Sequence, residues 1–410
     1  MSDRKILFRD LFRGDSVVWT VFMLLCLVSV IEVYSASSSL SYESGDYQAA
    51  IKAHCVMMGL GVMLVVVVHR IGYRWFRLVS LPFLPLSAVM LLALFVMGLV
   101  ADARTNGAAR WLFGFQPSEL AKMALVLETA HLLARHQRPE GCSPAAFRPL
   151  LVGAGVVIGL IAPENGSTAL LLAVVVFFLM VIGRVPWRQL GRLVGVVTVS
   201  GALAVSFILL VPPSVYEDVP GTHRFPTWRN RMTGFFSREV VPPEKFDIDR
   251  DAQVAHAHIA VATSHVLGLG PGNSVQRDFL SHGYSDFIYA IVIEELGLVG
   301  AAVVVLLYII LLFRAGYIAR RCSSPRAALL VMGSALMLVT QAMLHMMVSV
   351  GLFPVTGQPL PLISKGGTSI LINCFYMAVI LSVSRTVDEE RAAQAGVQQL
   401  PLEQQAAEGM

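Results

Sequence analysis

The sequence predicts an all-α polytopic integral membrane protein with about ten transmembrane helices and one large extracytoplasmic loop. Apolar residues make up 56% of the 410 residues and charged residues only 14%, against about 25% charged in typical soluble proteins. The mean hydropathy is +0.68. The apolar residues are gathered into runs of about 20, the length that crosses a bilayer core about 30 Å thick. The 31 Lys and Arg are nearly balanced by 27 Asp and Glu, and this scattered charge excludes a nucleic-acid-binding protein.

Apolar runs bounded by Arg, Pro or Gly predict the positions of the transmembrane helices. A charged opening segment, residues 1–16, precedes them and alternates basic with apolar residues, which favours a short interfacial helix. The predicted spans are residues 17–36, 52–69, 78–100, 117–134, 147–163, 167–183, 190–212, 286–313, 326–350 and 367–384.

The distribution of Lys and Arg predicts the orientation of these spans, because positively charged loops remain in the cytoplasm. Alternate connections are rich in arginine, whereas the short connections on the other side hold only Lys52, Arg104, Arg110 and Lys365. Both termini are therefore predicted to be cytoplasmic, and the long segment of about 213–285 lies outside. The ten-helix membrane domain is predicted over residues 17–386, and a cytoplasmic tail of irregular structure over 387–410.

Charged residues within the fourth predicted span need an explanation, because an ionisable group in hydrocarbon is costly. Glu119 and Lys122 are three residues apart on this helix, so their side chains can meet on one face. One interpretation is an internal ion pair that connects helices; the other is that the two residues line a substrate cavity. Glu128 follows on the same helix.

A second acidic group lies where the large outer loop enters the eighth predicted span. Asp286 is at the predicted start of this helix, and Glu294 and Glu295 are about two turns deeper. Partial burial would raise the pKa of Asp286 to a value useful for a general base facing the outer leaflet. The alternative is a structural acid, either the N-cap of the helix or its first residue behind Ser285.

The predicted outer segments are rich in glycine and proline, which permits non-helical backbone close to the membrane. Free amides in such segments could hold phosphate oxygens. His256 and His258 have a spacing that would suit a metal only on a strand, and we do not predict a zinc site. The segments concerned are residues 163–167, 268–274 and 353–369.

Several motifs, taken in order along the chain, resemble the SEDS family (shape, elongation, division and sporulation), whose FtsW and RodA branches are ten-span bacterial membrane proteins. The segment from Pro354 to Ser364 and the compact length are more similar to the FtsW branch, which acts in division, than to the RodA branch, which acts in elongation. The motifs that carry the resemblance are residues 34–37, 110–112, 116–122, 163–167, Arg231 with 234–236, 268–274, 285–288, 294–297 and 354–369.

The resemblance implies a peptidoglycan glycosyltransferase that polymerises lipid II into β-1,4 glycan strands at the outer face of the bacterial inner membrane, during septal wall synthesis. It implies that Asp286 is the catalytic base and that undecaprenyl diphosphate leaves. Its partners would be a class B penicillin-binding protein and other membrane proteins of the divisome. The sequence requires no cofactor, and the resemblance is compatible with a divalent cation, Mg²⁺ or Mn²⁺. Residues expected to hold the substrate or its diphosphate are Arg110, Glu119, Lys122, Arg231, Asp278 and Lys365.

Some positions depart from the family pattern. Residues 281–286 differ from the usual motif before the catalytic acid, Asp278 is the nearest match to a second family acid, and Lys365 replaces a tyrosine. Three other functions stay open at this point: a RodA-like elongation polymerase, a lipid II flippase that uses the intramembrane acids, and a scaffold that recruits the transpeptidase.

Overall fold

α-Helices form nearly all of the described part of the protein, a computed structural model that covers residues 12–36, 47–100, 112, 115–212, 225–237, 251–280 and 283–408. A two-stranded antiparallel hairpin, β1 (Gln137–Arg138) and β2 (Gly141–Cys142), follows the fourth helix. The helices are α1 (Ser16–Ala36), α2 (Tyr47–Val68), α3 (Phe76–Val100), α4 (Pro117–Arg135), α5 (Phe147–Ile161), α6 (Gly166–Ile182), α7 (Trp187–Leu210), α8 (Phe225–Ser237), α9 (Asp251–Thr263), α10 (Ile288–Arg321), α11 (Pro325–Ser349) and α12 (Gly367–Glu408).

Ten of these helices coincide with the ten predicted apolar runs, and the all-α polytopic fold is confirmed. Within the described residues, eight helices are long and apolar enough to cross a membrane. The two others are α6, an apolar helix of 17 residues, and α4, whose 19 residues include several charges. Of the segment predicted to be interfacial, residues 1–16, residues 1–11 lie outside the described part of the chain.

The C-terminal helix differs from its prediction. We expected a span over 367–384 and an irregular tail, but α12 continues to Glu408. The Ala, Gln and Glu residues of this tail have high helix propensity, which explains the continuation.

The helices sort into a buried centre and a lipid-facing periphery. Helix α11 and the part of α12 from Gly367 to Gln394 are mostly buried within the protein, whereas α7 is exposed along almost its whole length. Around the centre, α10 packs against α11 and α1, α3 against α4, and α2 against α12. We call "outer" the side that the sequence predicts to face away from the cytoplasm, and "inner" the opposite side.

Helix α10 is interrupted, which the sequence analysis did not predict. Gly297 has non-helical backbone angles, with φ +70°. The segment of residues 265–276, which we call the docking loop, packs against this break. At the break the docking loop makes the backbone hydrogen bonds that a continuous helix would make internally. These bonds run from Leu269 N to Glu294 O, Gly270 N to Glu295 O, Leu298 N to His265 O and Val299 N to Val266 O.

The docking loop can approach α10 this closely only because glycines face each other. A Cβ atom added to Gly268, whose φ is +72°, would lie 2.2 Å from Glu295 O. One added to Gly297 would lie 2.4 Å from Gly268 N. Both positions also have the left-handed backbone that favours glycine.

We predict that Gly268→Ala destabilises the protein by about 2 kcal/mol or more, because the methyl group both clashes with α10 and occupies a left-handed position. Thermal unfolding of the purified protein in detergent measures the effect. Gly191→Ala is the matched control, since nothing lies within 4 Å of a Cβ at that helical position and alanine there raises helix propensity. Equal unfolding temperatures for Gly268→Ala and the wild type would contradict this account of the docking loop.

Candidate functional site

Asp286 lies on the outer side, in the short turn that precedes α10. Helix α10 begins at Ile288, its N-cap is Phe287, and its first turn contains no acid. The structural alternative, in which Asp286 is the N-cap or the first helical residue, is therefore wrong. The half-buried Asp286 carboxylate accepts a hydrogen bond from Ser285 Oγ at 2.8 Å. Since it does not cap the helix, this carboxylate is available for other chemistry.

A second segment, residues 353–366, packs directly against this turn, and we call it the return loop. Lys365 N donates to Tyr284 O at 3.0 Å, and Ser364 Oγ donates to Ser285 O at 2.7 Å. A Cβ atom at Gly357 would lie 3.4 Å from Asp286 Oδ2. The return loop therefore passes close to one side of the Asp286 carboxylate. Gly357 has φ +64°, a backbone conformation that favours glycine.

Side chains from helices all around the protein hold the return loop in place. Its backbone carbonyls lie among apolar helices, where each needs a partner from the protein. Hydroxyl, amide, imidazole and guanidinium groups provide these partners. The contacts are Arg231 Nη1 to Val355 O at 2.9 Å, Ser167 Oγ to Thr356 O at 3.0 Å, His345 Nδ1 with Gln358 O at 2.7 Å, Gln341 Nε2 to Pro359 O at 2.9 Å, Ser29 Oγ to Ile363 O at 2.7 Å, and Tyr308 OH to Pro361 O.

The predicted outer cations have different environments. Arg231, on α8, donates to the return loop as described above. The half-buried Lys365 places its ammonium 4.9 Å from the centre of the Tyr284 ring, and burial lowers the pKa of this ammonium from its usual value. Arg110 lies outside the described residues. The structure therefore brings Lys365 to the turn that carries Asp286 and Arg231 to the loop beside it.

Asp278 is exposed on the short 3₁₀ turn of residues 276–279, which follows the docking loop. Its Oδ1 is 3.7 Å from Arg277 Nε. The exposed Asp278 carboxylate differs in this respect from the half-buried Asp286.

Glu119 and Lys122 form the ion pair that the sequence spacing predicts. Lys122 Nζ is 2.7 Å from Glu119 Oε1, and both side chains are almost completely buried. Lys122 Nζ also donates to Gln341 Oε1 at 3.1 Å, and the amide of the same glutamine donates to the return loop. The pair thus connects α4, through Gln341 of α11, to the return loop. This arrangement favours an ion pair that connects helices over one that lines an open cavity.

Glu294 and Glu295 have a structural role that sequence reasoning missed. Both are buried and accept hydrogen bonds from the backbone of the docking loop. We expected the amides of residues 268–274 to be free to bind phosphate. That expectation is wrong for the amides that donate to these carboxylates or to the backbone of α10. Contacts to the carboxylates include Gly272 N to Glu295 Oε2 at 2.9 Å, Ser274 N to Glu295 Oε1 at 3.1 Å and Val275 N to Glu294 Oε1 at 3.1 Å.

Glu32 is a buried acid that the sequence analysis overlooked. It is fully buried in α1, and within the described part of the chain neither of its carboxylate oxygens has a hydrogen-bond partner. The sequence could have pointed to Glu32, because an acid inside an apolar run long enough to span the membrane is unusual.

The described residues do not by themselves fit a divalent cation. Among them, no three His, Cys, Asp or Glu side chains converge closely enough to hold a metal ion. Mg²⁺ prefers several oxygen ligands, and Glu294 and Glu295 already accept amides. His256 and His258 lie on a helix, α9, where residues two apart do not face each other, and His256 Nδ1 is 2.7 Å from Gln276 Oε1.

Known proteins resemble this chain over most of its length. The model of a family described as cell cycle protein, covering FtsW, RodA and SpoVE, matches residues 15–389. A probable peptidoglycan glycosyltransferase FtsW of Geobacter metallireducens is 28% identical over 390 residues, which are 93% of this chain and 97% of the relative. A protein of the same name from Halomonas elongata is 31% identical over 374 residues, 88% of this chain and 87% of the relative.

Solved structures show a similar fold. A chain from a peptidoglycan synthase complex that coordinates polymerization and crosslinking superposes with a TM-score of 0.65 at 25% identity, covering 91% of this chain and 98% of that chain. The rod shape determining protein RodA of Thermus thermophilus superposes with a TM-score of 0.61 at 22% identity, covering 91% and 97%. The second likeness concerns the fold alone.

We predict that Lys122→Met destabilises the protein by about 3 kcal/mol, because it leaves the Glu119 charge buried without a partner. The double variant Glu119→Gln/Lys122→Met removes both charges and should recover much of this loss. Glu389→Gln, at an exposed ion pair with Arg385, is the control and should cost less than about 0.5 kcal/mol. Thermal unfolding in detergent measures all three, and a double variant that is no more stable than Lys122→Met would contradict the paired arrangement.

Proposed function

The chain belongs to the FtsW, RodA and SpoVE family of cell cycle proteins, and from this membership we propose that it is a peptidoglycan glycosyltransferase that polymerises lipid II. The observation that carries the proposal is the Asp286 carboxylate. It is half-buried on the outer side, oriented by Ser285, and not used to cap α10. The names of the relatives, probable peptidoglycan glycosyltransferases, support the same activity.

In the proposed reaction Asp286 acts as the general base. Its carboxylate takes the proton from the C4 hydroxyl of the acceptor N-acetylglucosamine as that oxygen attacks the anomeric carbon of the donor sugar. The bond from the anomeric carbon to the diphosphate oxygen breaks, and undecaprenyl diphosphate leaves with the bonding electrons. Attack opposite the leaving group inverts the anomeric carbon and gives a β-1,4 link.

The diphosphate is already a good leaving group, so the site needs positive charge rather than a second acid. Lys365 adjoins the turn of Asp286 through the bond from its amide to Tyr284 O, and its ammonium is the proposed partner of the diphosphate. Arg231 and Arg110 are proposed to extend this positive charge on the outer side. Asp278 remains a proposed substrate contact, and no step of the reaction is assigned to a metal.

We place this activity in septal wall synthesis at the bacterial inner membrane, with both termini in the cytoplasm. The FtsW names of the relatives favour the division role over a RodA-like role in elongation. By analogy with the synthase complex whose chain has a similar fold, the proposed partner is a class B penicillin-binding protein that crosslinks the new strands. Other membrane proteins of the divisome are proposed to assemble with the pair.

The intramembrane acids that motivate a flippase have structural partners instead. Glu119 pairs with Lys122, Glu128 accepts from Ser80 Oγ at 2.9 Å, and the two acids of α10 accept amides from the docking loop. Acids that hold fixed structural contacts offer no particular support to a transport function.

We predict that Asp286→Ala and Asp286→Asn lower the rate of glycan polymerisation by about 100- to 10,000-fold, because the base is lost. Purified protein with its transpeptidase partner is given lipid II, and the polymer is separated by gel electrophoresis. Asp388→Asn, at an exposed position on α12, is the control and should keep the wild-type rate. The unfolding temperature of each variant shows that it is folded, and full polymerisation by folded Asp286→Ala would refute the proposal.

We predict that the polymerisation rate falls at alkaline pH as Lys365 loses its proton. Burial lowers the pKa of this ammonium, so the positive charge is lost at a lower pH than in an exposed lysine. Lys365→Arg stays charged at all accessible pH values and should hold its rate to higher pH, even if its maximal rate is lower. Superimposable alkaline limbs for the two proteins in a pH–rate profile would argue against a role for this charge.

A further inference from the structure

The inner side of the protein contains a recess far from the turn that carries Asp286. Three connections meet there: the turn before α3, the end of α4 and the turn between α10 and α11. The recess has a volume of about 570 Å³ and is open to its surroundings. Its lining includes Arg74 and Arg77 from the first segment, His131 and Arg135 from the second, and Ser323, Ser324 and Arg326 from the third.

The recess concentrates positive charge. Four guanidinium groups, those of Arg74, Arg77, Arg135 and Arg326, line it. Within the described residues none of them forms an ion pair closer than 4.0 Å or a side-chain hydrogen bond. The one acid in the lining, Glu390, accepts a hydrogen bond from Ser323 Oγ at 2.7 Å. A concave surface with unbalanced charge of one sign attracts a counter-ion.

A buried histidine in the same recess has unused hydrogen-bonding capacity. His131 is only 4% exposed, and neither ring nitrogen has a hydrogen-bond partner in the described part of the protein. The charges of Arg77, Arg326 and Arg135 act on its ring, as does the opposite charge of Glu128 on the same helix. Buried polar atoms are normally paired, so this unpaired ring is unusual.

The orientation of the protein in the membrane explains why basic residues lie on the inner side. It does not explain why four of them line a single recess. Arg188 and Arg192, at the start of α7, are exposed on the inner side and do not line this recess. The four guanidinium groups of the recess come instead from three separate connections and surround a common space with His131. A tetrahedral phosphate matches such a set of donors, because arginine can bind its oxygens in pairs.

The neighbouring surface suits the membrane interface. Trp75 and Leu78 alternate in sequence with the recess arginines and are 62% and 59% exposed. Exposed tryptophan is typical of the level of lipid headgroups, and basic pockets between helices on the cytoplasmic side bind anionic headgroups.

We propose that this recess binds a phosphate group, carried by the headgroup of an anionic inner-leaflet lipid or by a soluble phosphate. The four guanidinium groups hold the phosphate oxygens, and the ring of His131 forms part of the wall. The site is separate from the proposed glycosyltransferase site and does not depend on it.

The test uses the full-length protein in neutral detergent. It is titrated in parallel with dioleoyl phosphatidylglycerol, with dioleoyl phosphatidylcholine and with inorganic phosphate. The apparent Kd of each comes from the concentration dependence of the unfolding temperature, and native mass spectrometry counts the lipids that remain bound. The variants are Arg77→Gln/Arg326→Gln in the recess and Arg188→Gln/Arg192→Gln as the matched control, which removes the same charge from exposed positions on the inner side.

We expect phosphatidylglycerol to bind more tightly than phosphatidylcholine, and the recess variant to bind it about thirtyfold more weakly, while the control keeps the wild-type Kd. The same pattern with inorganic phosphate, and none with the lipid, would identify a soluble phosphate as the ligand of the same site. The proposal is overturned if neither anion changes the unfolding temperature, or if the recess and control variants lose affinity equally, since diffuse surface charge would then explain the binding.

Discussion

The architecture depends on one constraint, which is that backbone polar groups among apolar helices must find partners inside the protein. Two non-helical segments meet this requirement in different ways. The docking loop exchanges backbone hydrogen bonds with the interrupted helix α10 and donates further amides to Glu294 and Glu295. The return loop instead has its carbonyls satisfied by side chains from at least five helices. Each segment is thereby fixed in a single position.

Two sets of charged residues differ in their surroundings. Glu119, Glu294 and Glu295 are buried and have complementary partners, so their charges stabilise the positions of helices and loops. Asp286 and Lys365 are only half-buried, and they lie where the turn before α10 meets the return loop. Through Lys122 and Gln341, the Glu119 ion pair is connected to the return loop that carries Lys365.

Much of the fold follows from local sequence patterns, whereas the site depends on contacts between distant residues. The runs of apolar residues predicted ten helices to within a few residues at most ends, and the spacing of Glu119 and Lys122 predicted their ion pair. The break at Gly297 was not predictable in this way, because glycine is common in membrane helices and the break requires the docking loop as an alternative partner. Gly357 was missed for the same reason, since its role arises only when the return loop reaches Asp286. His256 and His258 would suit a metal only on a strand. The sequence of this outer segment did not show that it forms a helix, α9.

We propose that the return loop and the turn before α10 together present Asp286 to the outer side of the membrane. Cysteine accessibility tests it most directly. Asp286→Cys, and Arg188→Cys as an inner-side reference, are introduced into a form of the protein whose own five cysteines are replaced by serine or alanine. A membrane-impermeant maleimide is then added to right-side-out and inside-out vesicles. We expect labelling at position 286 from the outside only and at position 188 from the inside only. Labelling of position 286 solely in inside-out vesicles would contradict it.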